Sequence, residues 1–230
     1  MVERTTFDVP IEADANDSDG PVLKTGTTTV AIAADDAVVL AADRRASLGG
    51  QFTANKRVQK VEAVHTTAAL AMSGNVGAVQ SFARTLDAEA ELYAARRGEE
   101  LSMDALATVA GNLVRGVPAQ LLLGGVDATG AHVYELDAGG GVVDTDYGAA
   151  GSGMQVAYGV LEGRAEPIDD AENARELALD AVVAASERDG ASGNGAHVAT
   201  VTADGVDVES RSVADLAGDG AAATAGGASR

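Results

Sequence analysis

Short apolar runs and longer stretches with helical spacing alternate along this chain. Residues 28–34 and 37–42 are largely apolar and flank the tight acidic turn Asp35-Asp36, a pattern that predicts a β-hairpin. The apolar run at residues 63–72 predicts another strand, which ends at Ser73-Gly74. The amino-terminal part of the domain is therefore predicted to consist of antiparallel strands.

Helical spacing follows these strands. Apolar residues recur every three or four positions from Val76 to Leu86, which predicts an amphipathic helix that reaches about Gly98. Ser102 is expected to cap a second helix, which Pro118 stops. The remaining predicted elements are strands at residues 120–127, 132–137 and 142–145, a helix opened by Gly151-Ser152-Gly153, a long helix at residues 169–189, and a hairpin at residues 197–202 and 206–209.

In chain order, the predicted elements are a first group of strands, two helices, a second group of strands, two more helices and a last group of strands. Because antiparallel hairpins dominate and the helices come in pairs, a doubly wound parallel sheet is disfavoured. The prediction is an α+β fold, a four-layer αββα sandwich in which two antiparallel sheets pack face to face and a helix pair covers each outer face. Such sheets are buried on both sides, which explains the nearly all-apolar residues 38–42 and 121–123.

The 230 residues suffice for one domain with a full core. Residues 1–26 are polar and acidic, which indicates a solvated leader. They lack the apolar segment of a secretory signal. Residues 27–212 form the predicted domain. Residues 213–230 form an acidic, Ala- and Gly-rich tail without periodicity.

The charge balance narrows the range of partners. Asp and Glu number 35 against 16 Lys and Arg, which gives a formal net charge of −19. No basic stripe could neutralise phosphates, so we expect neither nucleic acid nor a membrane as partner. An acidic composition that is poor in lysine and rich in alanine and glycine resembles that of proteins from salt-loving archaea. The alternative is an ordinary acidic protein.

Cysteine is absent and the three histidines are isolated from one another, so we expect no disulfide, no metal and no other cofactor. No apolar run is long enough to span a membrane, and a cytoplasmic location is expected. Any catalysis would therefore depend on the oxygen and nitrogen atoms of side chains and backbone.

The junction Gly26-Thr27, where the leader meets the first strand, is the most informative position. A backbone cut there would make threonine the first residue, so that its hydroxyl and free amine could act as nucleophile and base. A cation held by a carboxylate would lower the pKa of that amine, and Lys60 with Asp43 could supply the pair. The alternatives are a simple turn at the junction and a solvated charge at Lys60.

Three further segments could contribute to chemistry at Thr27. Gly74 lies between a strand and a helix, where a backbone N–H could bind an oxyanion; the alternative is an ordinary linker glycine, which is common before a helix. Ser152, Asp189 and Ser192 lie in glycine-flanked segments, where loops and helix caps are the default interpretation.

Eight stretches resemble the β subunits of archaeal 20S proteasomes, which are threonine proteases with an N-terminal nucleophile. They are residues 26–30, 38–45, 55–61, 73–74, 121–127, 151–153, 158–162 and 188–193. The residues that the resemblance assigns to catalysis are Thr27, Asp43, Lys60, Gly74, Ser152, Asp189 and Ser192. By this resemblance Thr27 would be the nucleophile, and Asp43 and Lys60 would be its electrostatic partners. Gly74 would donate the N–H that binds the oxyanion. Ser152, Asp189 and Ser192 would form the network around the threonine amine and its water.

The resemblance also implies how substrate binds. Ser47 would bind it mainly through the backbone, and Ala46, Val58 and Met72 would line a specificity pocket for large apolar side chains, as in chymotrypsin-like cleavage. Two departures stand out. Ser47 replaces a threonine of the family pattern, and the loop 48–52 is one residue longer than expected, so the assignment of Lys60 rests on its immediate neighbours.

The implied function is an endopeptidase that cuts itself at Gly26-Thr27 and then degrades unfolded proteins to peptides. Seven such subunits would form a ring, two β rings would stack, and rings of α subunits, fed by a regulatory ATPase, would cap them. One alternative is a noncatalytic ring subunit, against which the intact junction and Lys60 argue. A second is a small-molecule amidase with the same type of nucleophile, and a third is a binding sandwich whose junction stays uncut.

Overall fold

The computed structural model describes residues 26–48, 52–164 and 168–216. Its strands are β1 (Thr28–Ala33), β2 (Ala37–Asp43), β3 (Ala46–Leu48), β4 (Phe52–Asn55), β5 (Val61–His65), β6 (Ala68–Gly74), β7 (Ala119–Asp127), β8 (Gly130–Asp137), β9 (Val142–Thr145), β10 (Tyr147–Gly151), β11 (Ala196–Thr202) and β12 (Gly205–Arg211). Its helices are α1 (Val76–Arg97), α2 (Met103–Leu113), α3 (Met154–Leu161) and α4 (Ala171–Arg188). Residues 1–25 of the predicted leader, the glycine pair 49–50 and the tail from residue 217 lie outside the described residues.

Two antiparallel sheets of five strands pack face to face. The first has the order β10-β1-β2-β11-β12 and the second the order β5-β6-β7-β8-β9, while β3 and β4 pair in a separate hairpin. One apolar core lies between the sheets. A second core joins α1 and α2 to the second sheet, and a third joins α3 and α4 to the first. The predicted αββα sandwich is confirmed.

Strand β2 runs through the middle of this arrangement and is buried along its whole length. Val39 and Ala41 face the helix pair of their sheet, whereas Val38 and Leu40 face the other sheet. Both faces must therefore be apolar, which is why the sequence lacks the polar alternation of a half-buried strand. The strand ends at Asp43 and carries this carboxylate to the edge of the core.

Some boundaries differ from the sequence prediction. The single strand expected at residues 63–72 lies across two strands, β5 and β6, because Thr66-Thr67 forms a turn between them. Helix α2 ends at Leu113, ahead of Pro118, and the left-handed Gly116 (φ 75°) follows. The hairpin β3–β4 and strand β10 were not predicted, since none of the three exceeds five residues and their apolar pattern is weak.

Gly124 on β7 shows how closely the two sheets pack. A Cβ there would lie 2.6 Å from Val38 Cγ1 and 3.0 Å from Leu40 Cδ1. We therefore expect Gly124→Ala to lower the free energy of unfolding by about 1–3 kcal/mol, the usual cost of overpacking a core. Gly159→Ala is the matched control, because a Cβ at that helical position would meet nothing within 4 Å beyond its chain neighbours and the backbone of its own helix. Equal denaturant midpoints for the two variants would contradict this packing.

Candidate active site

The site forms where β1 begins and β2 ends. Because the two strands are antiparallel, Thr29 near the start of one pairs with Ala42 near the end of the other. The backbone N–H of Thr28 donates a hydrogen bond to Asp43 Oδ1 at 3.0 Å. Thr27, the residue before β1, is fully buried. The junction therefore lies inside a packed site and not in a surface turn.

Asp43 and Lys60 form a buried ion pair beside this junction. Lys60 Nζ lies 2.7 Å from Asp43 Oδ1, and the two side chains are 4% and 0% exposed. Burial lowers the pKa of Lys60, and its contact with Asp43 opposes part of that change. The backbone N–H groups of Arg45 and Gly193 donate to Asp43 Oδ2 at 2.9 and 2.8 Å. Lys60 Nζ also lies 3.5 Å from the carbonyl oxygen of Gly26, so its charge faces the bond before Thr27.

Ser152, Asp189 and Ser192 form a hydrogen-bonded network on the other side of Thr27. Asp189 Oδ2 accepts from Ser152 Oγ at 2.5 Å and from Ser192 Oγ at 2.7 Å. Burial by itself would raise the pKa of Asp189, but these bonds and the N–H of Ala191 outweigh it and hold the pKa below its usual value. Since an ionised carboxylate only accepts, both serines donate to it, and Ser152 Oγ accepts the N–H of Thr27 at 3.1 Å.

Thr28 joins the two halves of the site, and sequence reasoning missed this role. Its N–H donates to Asp43, and its Oγ1 lies 2.8 Å from Ser192 Oγ. Because Ser192 donates its own proton to Asp189, the Thr28 hydroxyl is the donor in this contact. The only signal in the sequence was the threonine run, in which a second hydroxyl directly follows the first.

Gly74 lies at the end of β6, just before α1. Its φ is +145°, and a Cβ there would lie 2.5 Å from the backbone oxygen of Pro118, so the position requires glycine. Gly74 lines a small pocket together with Lys60, Val58 and Met72. The predicted oxyanion donor and two of the three predicted specificity residues thus meet next to the buried ammonium group.

Strand β3 contacts the residue that precedes Thr27. Ser47 Oγ accepts the N–H of Gly26 at 3.2 Å, so this side chain adds a contact to the backbone role that the resemblance implies. A Cβ at Gly26 would overlap the side chain of Ala191, which leaves no room for another residue type. Ala46 is buried at the start of the same strand and does not line the pocket of Val58 and Met72.

A further cavity lies elsewhere among the described residues. It measures about 680 Å³ and is lined at the far end of β1 by Ile32, Tyr147 and Leu177, among others, and by none of the groups above. No three His, Asp or Glu side chains in the described ranges are arranged to hold a metal ion. The helices of those ranges include none that is long and apolar enough to cross a membrane.

The lowered pKa of Asp189 predicts a pH-dependent contribution to stability. The pKa of Asp189 is lower in the folded chain than in the unfolded chain, where it is about 3.9. The ionised carboxylate therefore stabilises the fold fully at pH values above the unfolded pKa, and this stabilisation is lost as the pH falls through the pKa of the folded chain. We expect Asp189→Asn to lower the Tm by a constant amount between about pH 5 and 7, and by less below about pH 4. Asp204→Asn, at an exposed turn, is the control. A Tm difference that persists unchanged to about pH 3 would contradict this expectation.

An αββα sandwich with a threonine at the head of its first strand is the architecture of hydrolases with an N-terminal nucleophile. The family model for proteasome subunits matches residues 23–201, and the chain belongs to this family. It is 56% identical over 209 residues to the proteasome subunit beta of Halomicrobium mukohataei, which covers 90% of this chain and 87% of that protein. It is 54% identical to the proteasome subunit beta of Halorhabdus utahensis, with 86% of each chain covered. It is 56% identical to proteasome subunit beta 1 of Haloarcula marismortui, with 86% of this chain and 83% of that protein covered.

Proposed function

We propose that this chain is a self-processing threonine endopeptidase, the catalytic β subunit of a 20S proteasome core. One observation carries the proposal: the bond between Gly26 and Thr27 is enclosed by the groups that would cut it and then use the product. Lys60 Nζ lies 3.5 Å from the carbonyl oxygen of Gly26, and Ser152 Oγ lies 3.1 Å from the nitrogen of Thr27. The relatives named proteasome subunit beta support the same assignment.

Self-processing begins with attack of Thr27 Oγ1 on the carbonyl carbon of Gly26. The C–N bond then breaks, the nitrogen takes up the proton that the hydroxyl has lost, and the leader is held as an ester on the Thr27 oxygen. Lys60 offsets the negative charge that develops on the carbonyl oxygen. Water hydrolyses the ester, which leaves a carboxylate on Gly26 and a free α-amine on Thr27.

Proteolysis uses this new amine as the base. An unperturbed α-amine has a pKa of about 8, and the nearby charge of Lys60 lowers it, so that the neutral amine can accept the hydroxyl proton. Thr27 Oγ1 then attacks the substrate carbonyl carbon, and the N–H of Gly74 stabilises the oxyanion. The peptide C–N bond breaks, the α-ammonium of Thr27 returns its proton to the leaving nitrogen, and the acyl-enzyme remains as an ester. The amine activates the water that releases the product. Ser152, held by Asp189, orients the amine throughout both steps.

Substrate preference and assembly complete the proposal. Val58 and Met72 place two apolar side chains in the small pocket beside Lys60 and Gly74, and by the family resemblance these groups would favour large apolar side chains before the cut bond and therefore chymotrypsin-like cleavage. Seven subunits would form each β ring, two β rings would stack in the cytoplasm, and α rings served by a regulatory ATPase would cap them. The leader would keep each site inactive until the rings meet.

Fluorogenic peptides test this function. The full chain is coexpressed with a proteasome α subunit, and the assembled particle is assayed at high salt with peptides that differ only in the residue before the cut bond. We expect Leu, Phe or Tyr to give a kcat/KM at least about tenfold above that for Asp or Arg, and Val58→Asp to reduce this ratio. Failure to hydrolyse any peptide would refute the peptidase, whereas equal rates would refute only the apolar preference.

A further inference from the structure

Arg45 lies between β2 and β3 and holds the loop that carries Asp189 and Ser192. Its Nε donates to Asn194 Oδ1 at 2.9 Å, and its Nη1 donates to the backbone oxygen of Gly190 at 2.6 Å. One guanidinium group therefore binds both ends of the segment 190–194. Sequence reasoning assigned no role to this arginine.

The backbone of this segment needs such support. Gly193, Asn194 and Gly195 follow one another with φ values of +139°, +71° and +95°, and Asn194 is the one non-glycine residue of the described ranges with a positive φ. Backbone in such sparsely populated conformations persists only when surrounding contacts determine it. A Cβ at Gly193 would lie 2.7 Å from Arg45 Nη2, so the guanidinium packs directly against this glycine.

The same loop is also anchored to the end of β2. The N–H of Gly193 donates to Asp43 Oδ2 at 2.8 Å, and its carbonyl oxygen accepts the N–H of Arg44 at 3.1 Å. The N–H of Arg45 donates to Asp43 Oδ2 at 2.9 Å. The loop is therefore bonded to the strand end that carries Asp43, and these bonds hold the Asp43–Lys60 pair beside the Ser152–Asp189–Ser192 network.

We propose that Arg45 and Asn194 form a clamp that positions Asp189 and Ser192 around the amine of Thr27. This inference rests on the proposed function, and Arg45 acts as a positioning residue because it contacts none of the reacting atoms. The planar guanidinium reaches two acceptors at once, which the single ammonium of lysine does not reproduce. Arg45→Lys keeps the positive charge but removes the planar group that reaches two acceptors, so this change tests the geometry of the guanidinium independently of its charge.

Steady-state kinetics on the assembled particle test the clamp. We expect Arg45→Lys to lower kcat about 10- to 100-fold with KM within about twofold of wild type, because misplaced catalytic groups slow the chemical step more than binding. Asn194→Gly keeps the backbone conformation but removes the acceptor, so kcat should fall in the same direction. Asn194→Asp keeps an acceptor at this position and should remain near wild type. Arg57→Lys, at an exposed arginine, is the matched control.

Hydrogen exchange gives a readout that does not depend on activity. In Arg45→Lys, we expect the backbone amides of Ser192 and Gly193 to exchange at least about tenfold faster, while that of Leu122 in β7 keeps its rate. Unchanged exchange in the loop, or an unchanged kcat, overturns the clamp, and so does faster exchange throughout β7, which would mean general destabilisation. If the wild-type particle cleaves no peptide, the proposed function fails, and the exchange rates alone then decide whether Arg45 holds the loop.

Discussion

Thr27→Ala is expected to leave the leader attached and to reduce peptidase activity at least about 1,000-fold, because a hydrolase without its nucleophile keeps only what binding and oxyanion donors supply. The change removes the hydroxyl that would attack the carbonyl of Gly26 and, later, the substrate. The main-chain bonds around the junction remain, so the subunit should still fold and assemble with α subunits. Mass spectrometry of the particle and a peptide assay measure the two losses separately.

Two variants make this result specific. Thr27→Ser keeps a hydroxyl and should be processed and active. Thr29→Ala makes the same substitution two residues later, where Oγ1 donates only a long hydrogen bond of 3.3 Å to the backbone oxygen of Ala150, and it should be processed normally. Normal processing of Thr27→Ala would exclude Thr27 as the nucleophile that cuts the junction.

Lys60→Met is expected to abolish activity and to lower the free energy of unfolding by about 3–5 kcal/mol, the usual cost of removing one partner of a buried ion pair. Asp43 is fully buried and would lose the ammonium group 2.7 Å from its Oδ1. The backbone donors Thr28, Arg45 and Gly193 remain, so the loss should lie toward the lower end of this range. Denaturant unfolding and the peptide assay provide the measurements.

A double change separates the structural from the catalytic part of this effect. Asp43→Asn combined with Lys60→Met removes both buried charges but keeps an oxygen that can accept from the backbone donors, so stability should recover relative to Lys60→Met alone while activity stays absent. Lys56→Met, at an exposed lysine, should change neither. Full activity in Lys60→Met would contradict the electrostatic role of this lysine.

Periodicity predicted most of the fold because helix and strand spacing are local properties. Asn75, Ser102 and Asp170 each cap a helix through a side-chain acceptor, as their residue types favour. Strand β10 escaped detection because its glycines and alanines carry little β propensity, and pairing with β1 alone defines it. The turn at residues 66–67 was missed because two threonines are not a typical turn signal.

Most candidate site residues could be named from the sequence, because each lies in a short motif. Their mutual contacts could not be predicted, because these join distant parts of the chain. Thr28 and Ser192 are 164 positions apart, and Arg45 and Asn194 are 149 apart. No spacing rule reaches over such separations. The fold alone brings the loop 189–194 against the end of β2.

The mass of the β subunit in an assembled, active particle tests the central claim most directly. The full chain is coexpressed with α subunits, and the particle is isolated at high salt before intact-mass and amino-terminal analysis. The proposed mechanism predicts a chain whose first residue is Thr27. A particle that hydrolyses peptides while its β subunits still carry residues before Thr27 would contradict it.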